Sequence, residues 1–431
     1  MAEEHTLNSV NRYYLDKVMR LSEQRDIKAT EDIFDARGMK LVAKGTTVSR
    51  KLQERLMARQ LSKPFESSIA VEGGIDPDAI VTEAKRVAET VEPVKALLDH
   101  DQGGSSPIRL LSDARFGSAM STMLTIVQDG GAHALQHGVL VSLISIALAK
   151  KCGLGVGDQM NVALAGLLHD IGELYIDPEY LHSGRRLYPH EWRHVVVHPR
   201  IGQMLIEGLE NYPATVARAV FEHHERLDGG GYPRGSAGKA ISMEGQVVAV
   251  AEMISGVFLS KDQPLKRAEL ALKIVPGEHP HQLVSAVSSA WQQVAAREAA
   301  AAPSFSGEEA YTVRTLYARI NQALEAAQVL REGSNLHSAP ARQVVAAAIL
   351  RIQGAARALT SAGLDACPDH APDLFSANRV DVLFEAVVVV REIEWRLRGV
   401  ARDIALRALA LEQDESDALQ ALVTLLDGQP S

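Results

Sequence analysis

His223-His224-Glu225-Arg226-Leu227-Asp228-Gly229-Gly230-Gly231-Tyr232-Pro233 sets two adjacent imidazoles directly before a glycine-rich turn. Neighbouring histidines cannot both sit at the centre of one apolar helix face, so hydrophobic packing explains this pair poorly. Working backwards, His198-Pro199 follows an amphipathic stretch, and His169-Asp170 ends the apolar run Val162–Leu168. His137 opens another apolar helix. Histidines and carboxylates at the ends of successive helices are the ingredients of a metal centre inside a helical bundle.

Each of these residues also has a plainer reading. Asp170 lies where a fully apolar helix runs deep, so it needs a partner or a metal to offset desolvation. It also reads as a cap for the next helix, and taken alone the two readings balance. His198 beside Pro199 suits a first helical turn. His223 and His224 also fit one buried and one solvated imidazole at the end of a helix over 214–221. Glu252 is the one acid in the apolar run Val247–Ile254, and the nearest basic residues in sequence are Lys239 and Lys261. A metal is the more economical partner for it than a buried salt bridge. The remaining histidines stand in polar or loop contexts without an evident partner.

The 431 residues suffice for two or three domains, and 46% hydrophobic residues fill real cores. Aromatic residues make up only 5% while alanine and leucine abound, which favours close-packed helices over β-sandwiches. A net charge of −9 leaves no footprint for duplex nucleic acid. Cys152 and Cys367 make no disulfide framework for a chain of this size and suit a reducing compartment. The N-terminal residues lack the cationic and apolar regions of a signal peptide, and the longest apolar run, Val139–Ala149, is too short to span a bilayer. The expected location is the cytoplasm, with no membrane partner.

The expected fold is mainly α: a helical bundle with a small N-terminal α+β module and a C-terminal helical domain. Residues 1–74 form the module, with a strand–turn–strand over 33–45 and a helix over 46–61. A helical linker covers 75–107, with a helix over 78–100 and a flexible break at 101–107. The central domain takes 108–300, and a linker over 299–306 leads to a C-terminal helical domain at 307–431. Ile349–Leu359 and Val380–Leu397 are the clearest amphipathic runs there. Their apolar stripes suit a self-closing bundle, and equally a homodimer or a protein-partner surface.

Taken in order, His137, His169-Asp170, His198-Pro199, His223-His224-Glu225, Gly229-Gly230-Gly231-Tyr232-Pro233 and the acid at 252 resemble the HD-GYP domain. The resemblance covers roughly residues 108–300 and rests on a highly specific motif run. It implies an HD-type helical bundle that uses divalent metals, iron or manganese, to hydrolyse cyclic di-GMP to pGpG or GMP through a metal-activated water. By position, His137, His169, Asp170 and Glu252 hold one metal, and Asp170 bridges to a second held by His198, His223 and His224. Gly230, Gly231, Tyr232, Pro233 and Arg226 form the substrate rim.

Two positions depart from the family pattern. The usual His-Asp-x-Gly-Lys reads His169-Asp170-Ile171-Gly172-Glu173, so a carboxylate stands where a lysine is expected to meet substrate phosphate. The late acid is Glu252 in place of Asp, one methylene longer. His133 lies one helical turn before His137, and together with Glu173 it extends the ligand set to a third metal in one reading. In the other, His133 faces solvent. A degenerate domain that binds metal or nucleotide and signals through contacts is the alternative to an active enzyme.

Overall fold

The computed structural model describes residues 9–99, 106–131, 134–181, 187–259, 263–295, 307–362, 364 and 380–428. His133, Cys367, most of the break expected at 101–107 and the linker at 299–306 lie outside the described residues. The chain divides into two compact units. One comprises Met1–Arg185, His194–Glu225 and Gly231–Leu259; the other comprises Arg186–Arg193, Arg226–Gly230 and Ser260–Ser431. Both are mainly helical, as the composition and periodicity lead one to expect.

The first unit opens with helix α1 (Arg12–Leu21). Asn11 caps it, its side-chain oxygen accepting from the backbone N–H groups of Tyr13 and Tyr14. Tyr14, Leu15, Val18 and Met19 form its buried face. Four short strands follow in two antiparallel pairs. Strand β1 (Ile27–Ala29) pairs with β4 (Ile69–Val71), and β2 (Ile33–Phe34) pairs with β3 (Lys40–Val42). The β2–β3 turn is the one expected over 33–45. Asp35 Oδ1 accepts from the N–H groups of Arg37 and Met39, and Gly38 supplies the left-handed backbone there.

The helix expected over 46–61 shrinks to α2 (Gln53–Met57), preceded by one 3-10 turn at Arg50–Leu52. Residues 46–48 are drawn to the sheet edge instead. Ala29 donates its N–H to Thr46 O, and Val48 donates to Ile27 O. Thr46, Thr47 and Val48 are β-branched, which suits this extended pairing with β1 better than a helix. The helix expected over 78–100 is two helices, α3 (Pro77–Thr90) and α4 (Glu92–Asp99). Val91 leaves helical geometry between them, because Pro93 has no N–H to continue the ladder and is tolerated only in a first turn.

Then come α5 (Pro107–Ser112), α6 (Ser118–Asp129), α7 (Ala134–Lys151), α8 (Val156–Leu168), α9 (His198–Leu209), α10 (Ala214–Glu222) and α11 (Met243–Phe258). Helix α7 is apolar on every side and is covered accordingly, packing on α8, α11 and α3. Two glycines let α7 and α8 meet at backbone distance. A Cβ on Gly138 would stand 2.9 Å from Leu167 O, and one on Gly166 would stand 2.9 Å from Ser142 Cα. Ser142 Oγ donates to Ala163 O at the same crossing, 2.7 Å away. This close approach brings His137, next to Gly138, to His169, three residues beyond Gly166.

The second unit contains α12 (Pro264–Lys273), α13 (His281–Ala295), α14 (Gly307–Glu332), α15 (Ala339–Ser361), α16 (Val380–Ala408) and α17 (Gln413–Asp427). The amphipathic runs at 349–359 and 380–397 lie on α15 and α16. Ile349, Ile352 and Leu359 meet Ile393 and Leu397 in a core that also takes Ile320 and Leu422. These stripes therefore close largely on one another. Among the described residues no single helix is long and apolar enough to cross a membrane.

Candidate metal centre

Five helices deliver the candidate ligands. His137 stands in the first turn of α7, and His169 and His223 end α8 and α10. His198 begins α9, and Glu252 lies midway along α11. The turn after α8, Ile171–Tyr175, is 3-10 and passes against α9. Gly172 makes that passage possible: a Cβ there would lie 2.1 Å from His198 O. The Gly of the His-Asp-x-Gly run is thus a packing requirement that fixes Asp170 relative to His198.

Three imidazoles are each fixed by a backbone carbonyl three residues earlier in the chain. His169 Nδ1 lies 2.8 Å from Gly166 O, His198 Nδ1 2.8 Å from Val195 O, and His223 Nδ1 2.5 Å from Val220 O. A carbonyl only accepts, so Nδ1 carries a proton in each ring and Nε2 is the atom left facing inward. The inward atoms cluster. His137 Nε2 is 3.2 Å from His169 Nε2, and His198 Nε2 is 3.2 Å from His223 Nε2.

Asp170 stands between the two pairs with one oxygen toward each. Its Oδ2 lies 3.0 Å from His169 Nε2 and 3.6 Å from His137 Nε2. Its Oδ1 lies 3.4 Å from His198 Nε2 and 3.7 Å from His223 Nε2. Glu252 Oε2 reaches the first pair, 3.1 Å from His137 Nε2 and 3.2 Å from His169 Nε2. His224 joins Asp170, His198 and His223 in one group, and His137, His169 and Asp170 make another. Ligand atoms held about 2.1 Å from one ion lie roughly 3 Å apart, so the spacing suits two cations sharing one carboxylate. Imidazole and carboxylate without thiolate is a donor set for borderline or hard divalent ions.

Electrostatics divide the cluster the same way. Burial alone would lower His137, but hydrogen bonds to Asp170 and Glu252 raise it to about 9. His169 is likewise raised, by the Asp170 and Glu252 charges acting against burial. Burial disfavours ionised Asp170 and Glu252, yet the adjacent imidazoles hold both well below the carboxylate range. On the other side burial dominates. It lowers His198, takes His223 down to about 3 and depresses His224, with neighbouring imidazoles adding to the shift of the last two. Neutral imidazoles are what a cation requires.

The remaining expected residues take varied positions. The Glu173 carboxyl faces a cavity beside His137, and burial followed by the Asp170 charge pushes it up to about 8. Tyr232 stacks on His224 with ring centroids 4.5 Å apart, and its N–H donates to His224 O. The Tyr232–Pro233 peptide is cis. Glu225 accepts from the N–H groups of Arg234 and Ser236, stapling the loop that contains Gly231, Tyr232 and Pro233. Within the second unit, Arg226 pairs with Glu278 at 2.7 Å and stacks on Trp395. Gly230 there lies against Arg351, whose Nε would be 3.2 Å from an added Cβ. Arg226 and Gly230, expected on the substrate rim, are thus engaged by protein partners.

Sequence reasoning did not reach the residues of α1 that hold the metal-side turn. Lys17 Nζ donates to Leu174 O at 2.9 Å and Glu173 O at 3.3 Å, and Asn11 Nδ2 donates to Tyr175 O. Tyr175 also donates its hydroxyl to buried Glu66. The apolar spacing of Tyr14, Leu15, Val18 and Met19 carries a helical signal, but nothing in it marks partners 156 to 164 residues away.

Helices that bring histidines to one shared aspartate make a candidate two-cation centre inside a helical bundle. Residues 121–274 match the HD domain family, and the motifs are of the HD-GYP type. Among curated relatives, the 3'3'-cGAMP-specific phosphodiesterase 1 of Vibrio cholerae is 33% identical over 135 residues, 31% of each chain. The cyclic di-GMP phosphodiesterase response regulator RpfG of Xanthomonas campestris is 33% identical over 33% of this chain and 36% of its own. A cyclic di-GMP phosphodiesterase of Pseudomonas aeruginosa is 28% identical over 42% of this chain and 49% of its own. The match thus spans 31% to 49% of these relatives' lengths.

Proposed function

We propose that the HD domain hydrolyses a phosphodiester bond of a cyclic dinucleotide, cyclic di-GMP, to pGpG or GMP. The observation that carries this reading is Asp170, whose two oxygens face two separate histidine sets. His137, His169, Asp170 and Glu252 would hold one divalent cation, and Asp170, His198, His223 and His224 would hold the second. Iron or manganese fits the donors. When bound, the two ions polarise the phosphoryl oxygens and make water a competent nucleophile at neutral pH. The protein's share is positional. Carbonyl-fixed imidazoles keep Nε2 aimed inward, and Tyr232 keeps the His224 ring in place. The relatives named for cyclic dinucleotide hydrolysis support the substrate class.

One observation favours a second reading. Glu173 puts a buried carboxyl where the motif places a phosphate-binding cation, which suits a domain that binds metal or nucleotide and signals without turnover. Anaerobic loading with iron or manganese followed by incubation with cyclic di-GMP separates the two. Release of pGpG that disappears in Asp170→Ala is the expected result. Calorimetric binding of the dinucleotide with no product under either metal would leave only the signalling reading.

A further inference from the structure

A cavity of about 550 Å³ opens beside the His137–Asp170 side of the centre. That volume falls within the range of small-molecule sites, roughly 300–1,000 Å³. His137, His169 and Asp170 lie on its metal side and Glu173 on its wall, with Asp129 as a further acid. Helix α1 contributes two cations to the lining, Lys17 and Arg20. Lys17 is tied to the Glu173 and Leu174 carbonyls, so α1 is fixed to the turn that carries Asp170. Arg20, one turn further along α1, is exposed and makes no ion pair among the described residues.

We propose that Arg20, with Lys17 beside it, forms an anion subsite that receives the phosphate of the cyclic dinucleotide not undergoing cleavage. This rests on the phosphodiesterase reading above. A cyclic dinucleotide carries two phosphodiester charges, and the metal pair engages one. The other needs a cation within the same cavity. The motif's own position for that cation holds Glu173, and α1 is the element of the cavity wall that offers a replacement. A guanidinium suits the task, because its planar fork matches phosphate oxygens and is charged at every working pH. Lys17 acts as a positioning residue that sets α1 against the turn.

The test uses the full manganese-loaded chain. Binding of a hydrolysis-resistant phosphorothioate analogue of cyclic di-GMP is measured by calorimetry for wild type, Arg20→Ala, Arg20→Glu and Arg20→Lys. Turnover of bis(p-nitrophenyl) phosphate, which bears a single charge, is measured on the same samples. Arg20→Ala weakens analogue binding about tenfold, the worth of one ionic hydrogen bond, and Arg20→Glu weakens it further. Arg20→Lys recovers most of the affinity, and the loss for the dinucleotide exceeds that for the single-charge ester at least about fivefold. Equal losses on both ligands, or analogue affinity within about twofold of wild type in Arg20→Glu, would overturn the subsite. A wild-type protein that neither binds the analogue nor cleaves either ester removes the phosphodiesterase reading itself, a different failure.

Discussion

The phenol rings of Tyr14 and Tyr175 lie face to face, centroids 5.1 Å apart and planes within 10°. Tyr14 belongs to α1 and is fully buried; Tyr175 ends the turn that follows Asp170. The Tyr14 hydroxyl is buried with no hydrogen-bond partner. Its ring contributes to stability and its oxygen does not. Tyr14→Ala is expected to cost about 3–5 kcal/mol, the usual penalty for deleting a buried aromatic ring. Tyr14→Phe removes an unsatisfied polar atom and is expected to be neutral or stabilising by up to about 1 kcal/mol. Urea unfolding midpoints decide between them, and a Phe variant as damaged as the Ala variant would refute the assignment.

Glu66, on the other side of Tyr175, supplies a pH test. Burial pushes its carboxyl up from 4.5 to about 7, against the lowering effect of the Tyr175 hydrogen bond. An acid whose pKa is higher folded than unfolded keeps its proton longer in the native state. Stability therefore falls as pH rises from about 4.5, and the loss is complete above about 7. Full expression amounts to on the order of 3 kcal/mol. Glu66→Gln is uncharged throughout, so it should exceed wild type in stability above pH 7, with the gap closing towards pH 4.5. A stability difference constant from pH 4.5 to 8 would exclude this account.

The metal centre predicts unequal losses on substitution. Asp170 faces both histidine sets, so Asp170→Ala should leave less than one equivalent of manganese bound. His198→Ala touches one set only and should leave about one, provided each ion keeps most of its ligands. Elemental analysis after gel filtration reads both numbers; identical stoichiometry in the two variants would rule out a bridging role. Binding should also release protons. His137 holds its proton up to about pH 9 in the absence of a cation, so affinity should climb with pH towards that value. Calorimetry in buffers of different ionisation enthalpy measures the release directly.

How much of this was legible in the sequence follows from where the information lies. His169-Asp170, His198 and His223-His224 stand at helix ends beside apolar runs, and it is their joint occurrence in that order that marks them. Asp170 with an oxygen toward each pair is the arrangement that the order of motifs implies. Pairing of Ile27–Ala29 with Ile69–Val71 left no trace, because three-residue strands are too short to show an alternation. A separate pairing, of Thr46 and Val48 with Ala29 and Ile27, takes these β-branched residues out of the helix expected there. Lys17 and Arg20 were silent for another reason. A lysine on an amphipathic helix looks like any solvated cation until the fold sets it against carbonyls 156 and 157 residues away. Arg226 carries a second set of contacts that its motif gives no sign of, since Glu278 and Trp395 lie far from it in sequence.

Glu252 gives the most direct test of whether this chain has adapted to its departures from the motif. Its Oε2 stands 3.1 Å from His137 Nε2 and 3.2 Å from His169 Nε2, spacing that a shared cation needs. The extra methylene is therefore used to span the distance from α11. Ser255 donates its hydroxyl to the Glu252 carbonyl one turn on, which keeps that segment of α11 in register. Restoring the motif residue should do harm: Glu252→Asp withdraws the carboxylate by about one C–C bond from the His137 side, beyond the roughly 0.5 Å tolerance of a preorganised site. Manganese affinity at the His137 site is expected to drop about 10- to 100-fold, with thermal stability of the metal-free protein changed little. Glu252→Gln keeps the length but loses the charge, and it should weaken the site as well. Competition with a fluorescent chelator reads all three affinities. An aspartate variant that binds as tightly as wild type would show that α11 sits nearer the histidines than these distances state.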